Sequence, residues 1–463
     1  MALFFTACNS LEKVTKEANT VTPESFNTST DSTNTAEVQW RTFFTDPYLN
    51  ALIDTALGHN QELNIMMQEI EVHRNEIRAK KGEYLPSVNI GGGAGLDKPG
   101  QYTSQGALEE NIEIIPGKEN PKALQDYNVG AYATWEIDVW KKLHNAKKSA
   151  VNRYLSSIEG RNFMVTHLIS EVANSYYELL ALDNELAILK QNIQIQSNAL
   201  KIVKQQKSAA RVTELAVRRF EAQVLNTRGL QFEIEQSIVE TENRINFLLG
   251  RYPQPIERNS AEFIDLVPDS LYLGVPSQLL ANRPDIKQAE YELEAAKLDV
   301  KVAKAKFYPS LSISAGVGLQ GINPAYFIKT PQSLLYSLVG ELSAPLINRN
   351  GIKAGYYSAN SRQLKAIYRY EQTILNAYVE VVNQMNMMSN LEKRYDLKSQ
   401  EVKALNASVK ISNGLFTSAR ADYMEVLLTQ RDALESKFEL IETKERQMNA
   451  FVNMYKALGG GWR

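Results

Sequence analysis

The sequence predicts an α+β membrane protein, in which a few membrane-spanning strands are continued by very long helices. Four short stretches alternate apolar and polar residues, and they come in two pairs separated by long proline-free stretches with helical spacing. In addition, one half of the chain superposes on the other. The clearest alternation sets Tyr127, Val129, Ala131, Ala133, Trp135, Ile137 and Val139 against Asn128, Gly130, Thr134, Glu136 and Asp138. A two-residue period means a strand with one apolar and one wet face. A tilted strand of roughly ten residues crosses the hydrocarbon core of a bilayer. Four strands cannot close a barrel, and lipid tolerates no open sheet edge, because unpaired N–H and C=O groups there find no water. Strands from further copies of the chain must therefore complete the sheet, which points to an oligomeric membrane channel.

Composition narrows the alternatives. Charged residues make up 22% of 463 and the formal net charge is −2, so no basic field exists to hold nucleic acid. One cysteine, Cys8, excludes a disulfide framework and a cysteine-built metal site. No apolar run reaches the length of a transmembrane helix.

Along the chain, Met1 to Cys8 reads as the end of a secretory apolar region, with Phe5-Thr6-Ala7-Cys8 resembling a bacterial lipobox that would place lipid on Cys8. Asn9, which follows, is not the aspartate associated with inner-membrane retention. Residues 9–39, rich in Ser, Thr and Asn, read as a polar tether. Residues 40–265 form a first repeat. Helical pattern runs from Tyr48 to Tyr84 and stops at Pro86, because proline drives its predecessor out of α geometry. A strand over Val88–Leu96 follows, then an exposed loop over 97–126, then the Tyr127–Val139 strand. Proline-free helix extends to about Arg251, with a break near Ser208–Thr213. If continuous, residues 141–207 would span about 100 Å, which calls for lateral packing against other helices.

Residues 266–463 repeat the scheme. A shift of 223 positions brings Leu57 onto Leu280, Glu69 onto Glu292, Pro86 onto Pro309, Ile90 onto Ile313 and Gly93 onto Gly316. The second strand pair is Leu311–Leu319 and Leu334–Ala344, and helix then runs to Leu458.

Constellations for chemistry are absent from this pattern. His59, His73, His144 and His167 lie far apart in helical sequence and form no metal motif. Gly91-Gly92-Gly93 opens no helix, so it implies close packing or curvature of a strand. Met385, Met387 and Met388 suit core filling better than soft-metal transfer. No catalytic residue, metal or cofactor is expected.

Several stretches together resemble the TolC-like outer-membrane efflux channels, in their lipoprotein branch. These are Phe43-Phe44-x-Asp46-Pro47-x-Leu49, Trp135 to Trp140, Leu280-x-x-Arg283-Pro284-Asp285-Ile286, Tyr308 to Ser312, and Tyr455 to Trp462. The resemblance implies a homotrimer with a twelve-stranded outer-membrane β-barrel, four strands from each chain. Below it the resemblance implies a twelve-helix periplasmic α-barrel and an equatorial region. It further implies a lipid-anchored protein of a Gram-negative outer membrane. Its partners would be a periplasmic adaptor and an inner-membrane pump of the resistance-nodulation-division type, and it would pass drugs or other small toxic compounds. In such channels charged and aromatic side chains at the helix turns close the periplasmic mouth. The matching positions are Arg420, Asp422, Tyr423 and Glu425 at one turn and Arg211 and Glu214 at the other. The motif Tyr423-x-x-Val426-Leu427-x-x-Gln430-Arg431 matches, but Leu428-Thr429 stands where an acidic residue is common, and the turn Gly414–Arg420 is longer. A protein-secretion channel and a soluble coiled-coil adaptor are the competing readings, the latter disfavoured by the amphipathic strands.

Overall fold

Polar caps and prolines set where the helices begin. In the computed structural model, which describes residues 16–26, 33–114, 116–119, 121, 123–267, 271–347, 349–418 and 420–462, a single turn α1 (Trp40–Phe43) precedes α2 (Pro47–His59). Asp46 accepts from the N–H groups of Tyr48 and Leu49, and Pro47 occupies the first turn, where its missing N–H costs nothing. The one helix expected over Tyr48–Tyr84 is two. Asn60 accepts from Leu63 N–H and starts α3 (Gln61–Glu83), while its amide donates to the Leu248 carbonyl.

The chain divides into two compact units. One gathers Glu71–Leu155 and Tyr291–Ile367. Its centre is a single antiparallel sheet, β1 (Ser87–Asp97), β2 (Leu124–Ile137), β3 (Ser310–Gly321) and β4 (Leu334–Ser343), in that spatial order. Val139 and Ala344, expected to prolong β2 and β4, lie beyond their ends. The 97–126 stretch is not all loop: Thr103 accepts from Gly106 N–H and caps α4 (Ser104–Asn111). A hydroxyl cap directly ahead of a short polar helix leaves no apolar periodicity to detect. Past β2, Asp138 accepts from Leu143 and His144 N–H groups and opens a helix of 67 residues, α5 (Lys142–Ser208). Within the same unit Trp140 donates to the Pro309 carbonyl at 2.7 Å and stacks on Tyr308, and Trp135 donates to the Tyr84 carbonyl. Two of the stretches that carry the resemblance are thus one joint at the sheet's end.

The second unit gathers Ala18–Ile70, Ser156–Glu290 and the chain from Tyr368 onward. It contains most of α5, α6 (Glu214–Leu248), the short α7 (Gln278–Asn282), the start of α8 (Pro284–Ala305), much of α10 (Asn350–Thr417) and α11 (Tyr423–Ala457). A four-residue α9 (Pro324–Phe327) belongs to the first unit. Like β1 and β3, α3 and α8 follow the 223-residue shift. The β3–β4 connection is shorter than the β1–β2 one, so α6 and α11, both of 35 residues, follow a smaller one.

The main core joins Leu49, Ile53, Val172, Tyr176, Leu180, Ile245, Phe263, Val452 and Tyr455, all fully buried. Each such side chain contributes roughly 1.5–3 kcal/mol through the water it leaves. Phe43 stacks on Phe451 and Tyr455, and Tyr176 donates to Asp46 at 2.8 Å. Burial and the Asp46 carboxylate both raise the Tyr176 phenol above its ordinary value, so it remains a donor. Arg283, buried, donates to Asp285, to Glu380 at 2.7 Å and to the Ala457 carbonyl at 2.8 Å. Trp462 donates to the Asn282 carbonyl. Gly459 and Gly461 adopt φ of +93° and +102°, and a Cβ on Gly460 would stand 2.2 Å from the Tyr455 ring, so the glycine run is required by the packing of α11's end. Three further resemblance stretches therefore also meet.

The polar tether is docked in part. Phe26 stacks on Tyr378, Asn19 N–H donates to Glu371, and Thr35 exchanges hydrogen bonds with Tyr272, so contacts begin well ahead of Trp40. Residues 1–8, Cys8 included, and part of the tether lie outside the described residues. Among the described residues no helix is long and apolar enough to cross a membrane.

Candidate functional site

The candidate residues fall in two places: the faces of the sheet in the first unit and the helix turns in the second. The strand register sorts most side chains between two faces, with Tyr132, Leu335 and Val339 as exceptions on the polar one. Val129 pairs with Leu319, Trp135 with Ile313, and Val317 with Tyr336, all on one face. Asn128 pairs with Gln320, Thr134 with Ser314, and Ser312 with Glu341, on the other. On the apolar face Ile90 is 83% exposed and Tyr336 81%. An apolar patch of this extent is unfavourable in water and favourable against lipid. β1 and β4 each present one unpaired edge, which lipid does not permit to persist.

Tyr132 breaks the alternation and was missed by it. It projects from the polar face, where its ring lies across neighbouring strands. A Cβ on Gly316 would stand 3.2 Å from the ring, one on Gly130 3.3 Å, and one on Gly91 3.8 Å. The available signal was that Gly91, Gly130 and Gly318 fall in register across three strands, with Gly316 opposite Tyr132. Glycines in neighbouring strands leave a floor on which an aromatic ring can lie.

In the second unit the α5–α6 turn and the adjoining ends of α10 and α11 stand side by side. Val203, Ala216, Val217 and Phe220 from the α5–α6 hairpin share one buried cluster with Val426, flanked by Phe416, Tyr423 and Leu427. The first turn closes through Arg211 N–H to the Gln206 carbonyl, with Ala210 at φ +54°, and the second through Arg420 N–H to the Leu415 carbonyl. Of the expected gate residues, Glu214 is already engaged: Lys207 holds its carboxylate at 3.0 Å and Arg218 at 2.9 Å. The hydrogen bond and charge of Lys207, with Arg218 behind, keep that carboxyl below the usual range. Arg420, Asp422, Glu425 and Arg211 are exposed and make no ion pair among the described residues, and Asp422 flanks α11 without a side-chain cap bond. Tyr423 packs against the tip cluster. The tip charges are thus available to groups outside the protomer.

The remaining candidates are dispersed. His73 faces Glu76, His144 faces Asp138 and His167 faces Glu171, each a local pair. Met388 packs on the main core, while Met387 is exposed. Among the described residues no group of three acidic, histidine or cysteine side chains could hold a metal ion.

Comparison with known proteins bears on this geometry. The family model described as outer membrane efflux protein matches residues 52–251 and 275–460. The probable outer membrane lipoprotein SilC of Salmonella typhimurium is 26% identical over 446 residues, covering 95% of this chain and 93% of the relative. The pyoverdine export outer membrane protein OpmQ of Pseudomonas aeruginosa is 27% identical over 428 residues, 92% of this chain and 88% of the relative. The solved open state of the Neisseria gonorrhoeae MtrE outer membrane channel superposes with a TM-score of 0.83 at 21% identity, covering 97% of this chain and 98% of that one. The fold is the one these channels share.

Proposed function

The chain belongs to the outer membrane efflux protein family, the channel proteins of the outer membrane, and from that premise we propose that it works as the homotrimeric exit duct of a tripartite pump. The observation that carries the trimer is the sheet with an apolar exposed face and two open edges. Three copies of four strands give the twelve that close a barrel and leave no edge in lipid. The helices support the same assembly. On α6, Leu225, Phe232 and Val239 recur every seven residues and are exposed, the spacing of a seam that packs against a neighbouring helix.

Three copies of the tips would then converge on one axis, with Arg420, Asp422, Glu425, Tyr423 and Arg211 around the periplasmic mouth and Glu214 held beside them. Like charges crowd there unless paired with opposite ones from a neighbour. A periplasmic adaptor, docking at the tips, exchanges those pairs for its own and shifts the mouth toward its open state. An inner-membrane pump, of the resistance-nodulation-division type, supplies the cargo. The duct offers that cargo polar walls and few specific contacts, so selection rests with the pump, and drugs or other small toxic compounds are the class passed. Cys8 anchors the assembled trimer to the membrane by lipid, and Cys8→Ser should abolish fatty-acid labelling while leaving the trimer intact. Mass measurement in detergent is expected to give three times the 52.1 kDa of the chain, and a stable monomer with full β signal would overturn the proposal.

A further inference from the structure

The helix hairpins of the second unit carry a buried seam that is apolar at both ends and polar in the middle. On α5 the fully buried Leu189 and Val203 lie seven residues to either side of Gln196, itself 1% exposed. On α6 Phe220 and Ile234 lie seven residues to either side of Thr227, 0% exposed. On α11 Gln430, buried, lies between Val426 and Leu434. The flanking residues belong to two separate apolar clusters: Val203, Phe220 and Val426 to the one at the tips, and Leu189, Ile234 and Leu434 to the other. Three helices therefore turn polar at the same level. A fourth follows, since Gln430 reaches Asn413 of α10 at 3.5 Å and the neighbouring Ser412 is buried.

Apart from the bond that Gln430 Nε2 donates to Asn413 Oδ1, these polar groups do not satisfy one another among the described residues. Thr227 donates to its own helix, at the Gln223 carbonyl. Among the described residues, both amide atoms of Gln196 and the amide oxygen of Gln430 are buried with no hydrogen-bond partner, as are Asn192 Oδ1 and Ser197 Oγ close by on α5. An apolar side chain of the same size would fit the seam without that penalty. A polar residue in a seam position weakens the helix packing locally and admits water.

We propose that this layer is a hydrated hinge, at which the hairpin tips, residues 197–226, 414–418 and 420–429, separate from the helices beyond it as one cooperative unit. It rests on the channel reading above and adds to it the plane at which the mouth yields. Water bound to Gln196 and Gln430 supplies the partners the protein lacks, so the two apolar clusters open independently. The tip charges can then be exchanged between neighbour and adaptor without unpacking the main core.

Hydrogen–deuterium exchange of the intact trimer in detergent tests this without reference to conduction. In the parent protein, amides of 197–226, 414–418 and 420–429 should exchange at least tenfold faster than those of 160–190 and 437–450. Gln196→Met combined with Gln430→Met, close in size and apolar, should slow exchange of the tips at least tenfold, leave 160–190 unchanged and raise the Tm. Equal protection on both sides of the layer in the parent would overturn the proposal without any variant. Unchanged or faster tip exchange in the double variant would overturn it too, as would its failure to assemble. Loss of conductance in the parent trimer would instead count against the channel reading and leave the exchange result standing.

Discussion

Arg283, which ends α7, and Arg420, in the turn between α10 and α11, both belong to the second unit, and the chain uses them in opposite ways. Arg283 is buried among Asp285, Glu380 and the Ala457 carbonyl. Burial works against its charge, yet the two carboxylates hold the guanidinium further above its ordinary value. Arg420 is exposed, with Asp422 and Glu425 near it in sequence and no ion pair among the described residues. One charge is spent on the joint that holds the C-terminal glycines and Trp462, and the other is left for a partner. The stretches that carry the family likeness are mostly mechanical joints, whereas at the tips Arg420, Asp422, Glu425 and Arg211 are exposed and only Glu214 and Tyr423 are held in place.

The contrast breaks first where removal of a charge is most costly. Arg283→Met strands Asp285 and Glu380, and should cost about 3 kcal/mol, the lower end for a broken buried pair because Glu380 keeps solvent contact. Arg420→Met should change stability by less than about 0.5 kcal/mol. Thermal unfolding in detergent compares them, and equal losses would abolish the distinction.

The sheet allows a similar contrast between its faces. Ile313→Arg places a cation on the apolar face and should cost about 2–4 kcal/mol near the bilayer midplane. Ser312→Arg, one residue away on the polar face, should fold into lipid vesicles as the parent does. Equal tolerance of the two would mean the strands do not lie in a membrane.

Glu185 sharpens the comparison, being neither paired like Arg283 nor solvated like Arg420. Burial, with Glu445 and then Glu442 adding like charge, pushes its carboxyl up to about 7. Its folded value is thus above its unfolded one, so the unfolded chain releases the proton first as pH rises. The stability it permits at pH 4 declines through the window from about 4.5 to 7. Glu185→Gln should flatten that decline and stabilise the protein at pH 8 by on the order of 1 kcal/mol, after allowance for its partial exposure. A denaturation series across pH 4–8 with the same slope in both proteins would remove this third kind of charge.

The smallest change in stability should accompany the largest in conduction. Asp422→Ala and Arg420→Ala should raise single-channel conductance in planar bilayers with the Tm unmoved, and high salt should mimic them by screening exposed pairs. Conductance unaltered in both variants and at every salt concentration would place the gate elsewhere.

What could be read in advance followed from periodicity. The strand alternation survives because each face meets one medium, and the 223-residue shift survives as far as β1 and β3, beyond which the shorter β3–β4 connection reduces it. Local chemistry hid what periodicity could not show. The break at Asn60 rests on one side chain that reaches the Leu248 carbonyl, far along the chain. α4 has too few apolar residues to announce itself. Tyr132 on the polar face makes sense only once Gly91, Gly130 and Gly316 are brought beneath it.

By itself the sequence determined the element types, the duplication and the wet and apolar faces of the strands, since these depend on neighbours two to seven residues apart. Only the tertiary structure decided which motifs meet, that Glu214 is paired while Asp422 makes no ion pair among the described residues, and that Gln196, Thr227 and Gln430 form one layer. Each of those facts joins residues from different helices, and the energy of burying an amide or pairing a charge depends on what the other helices place against it.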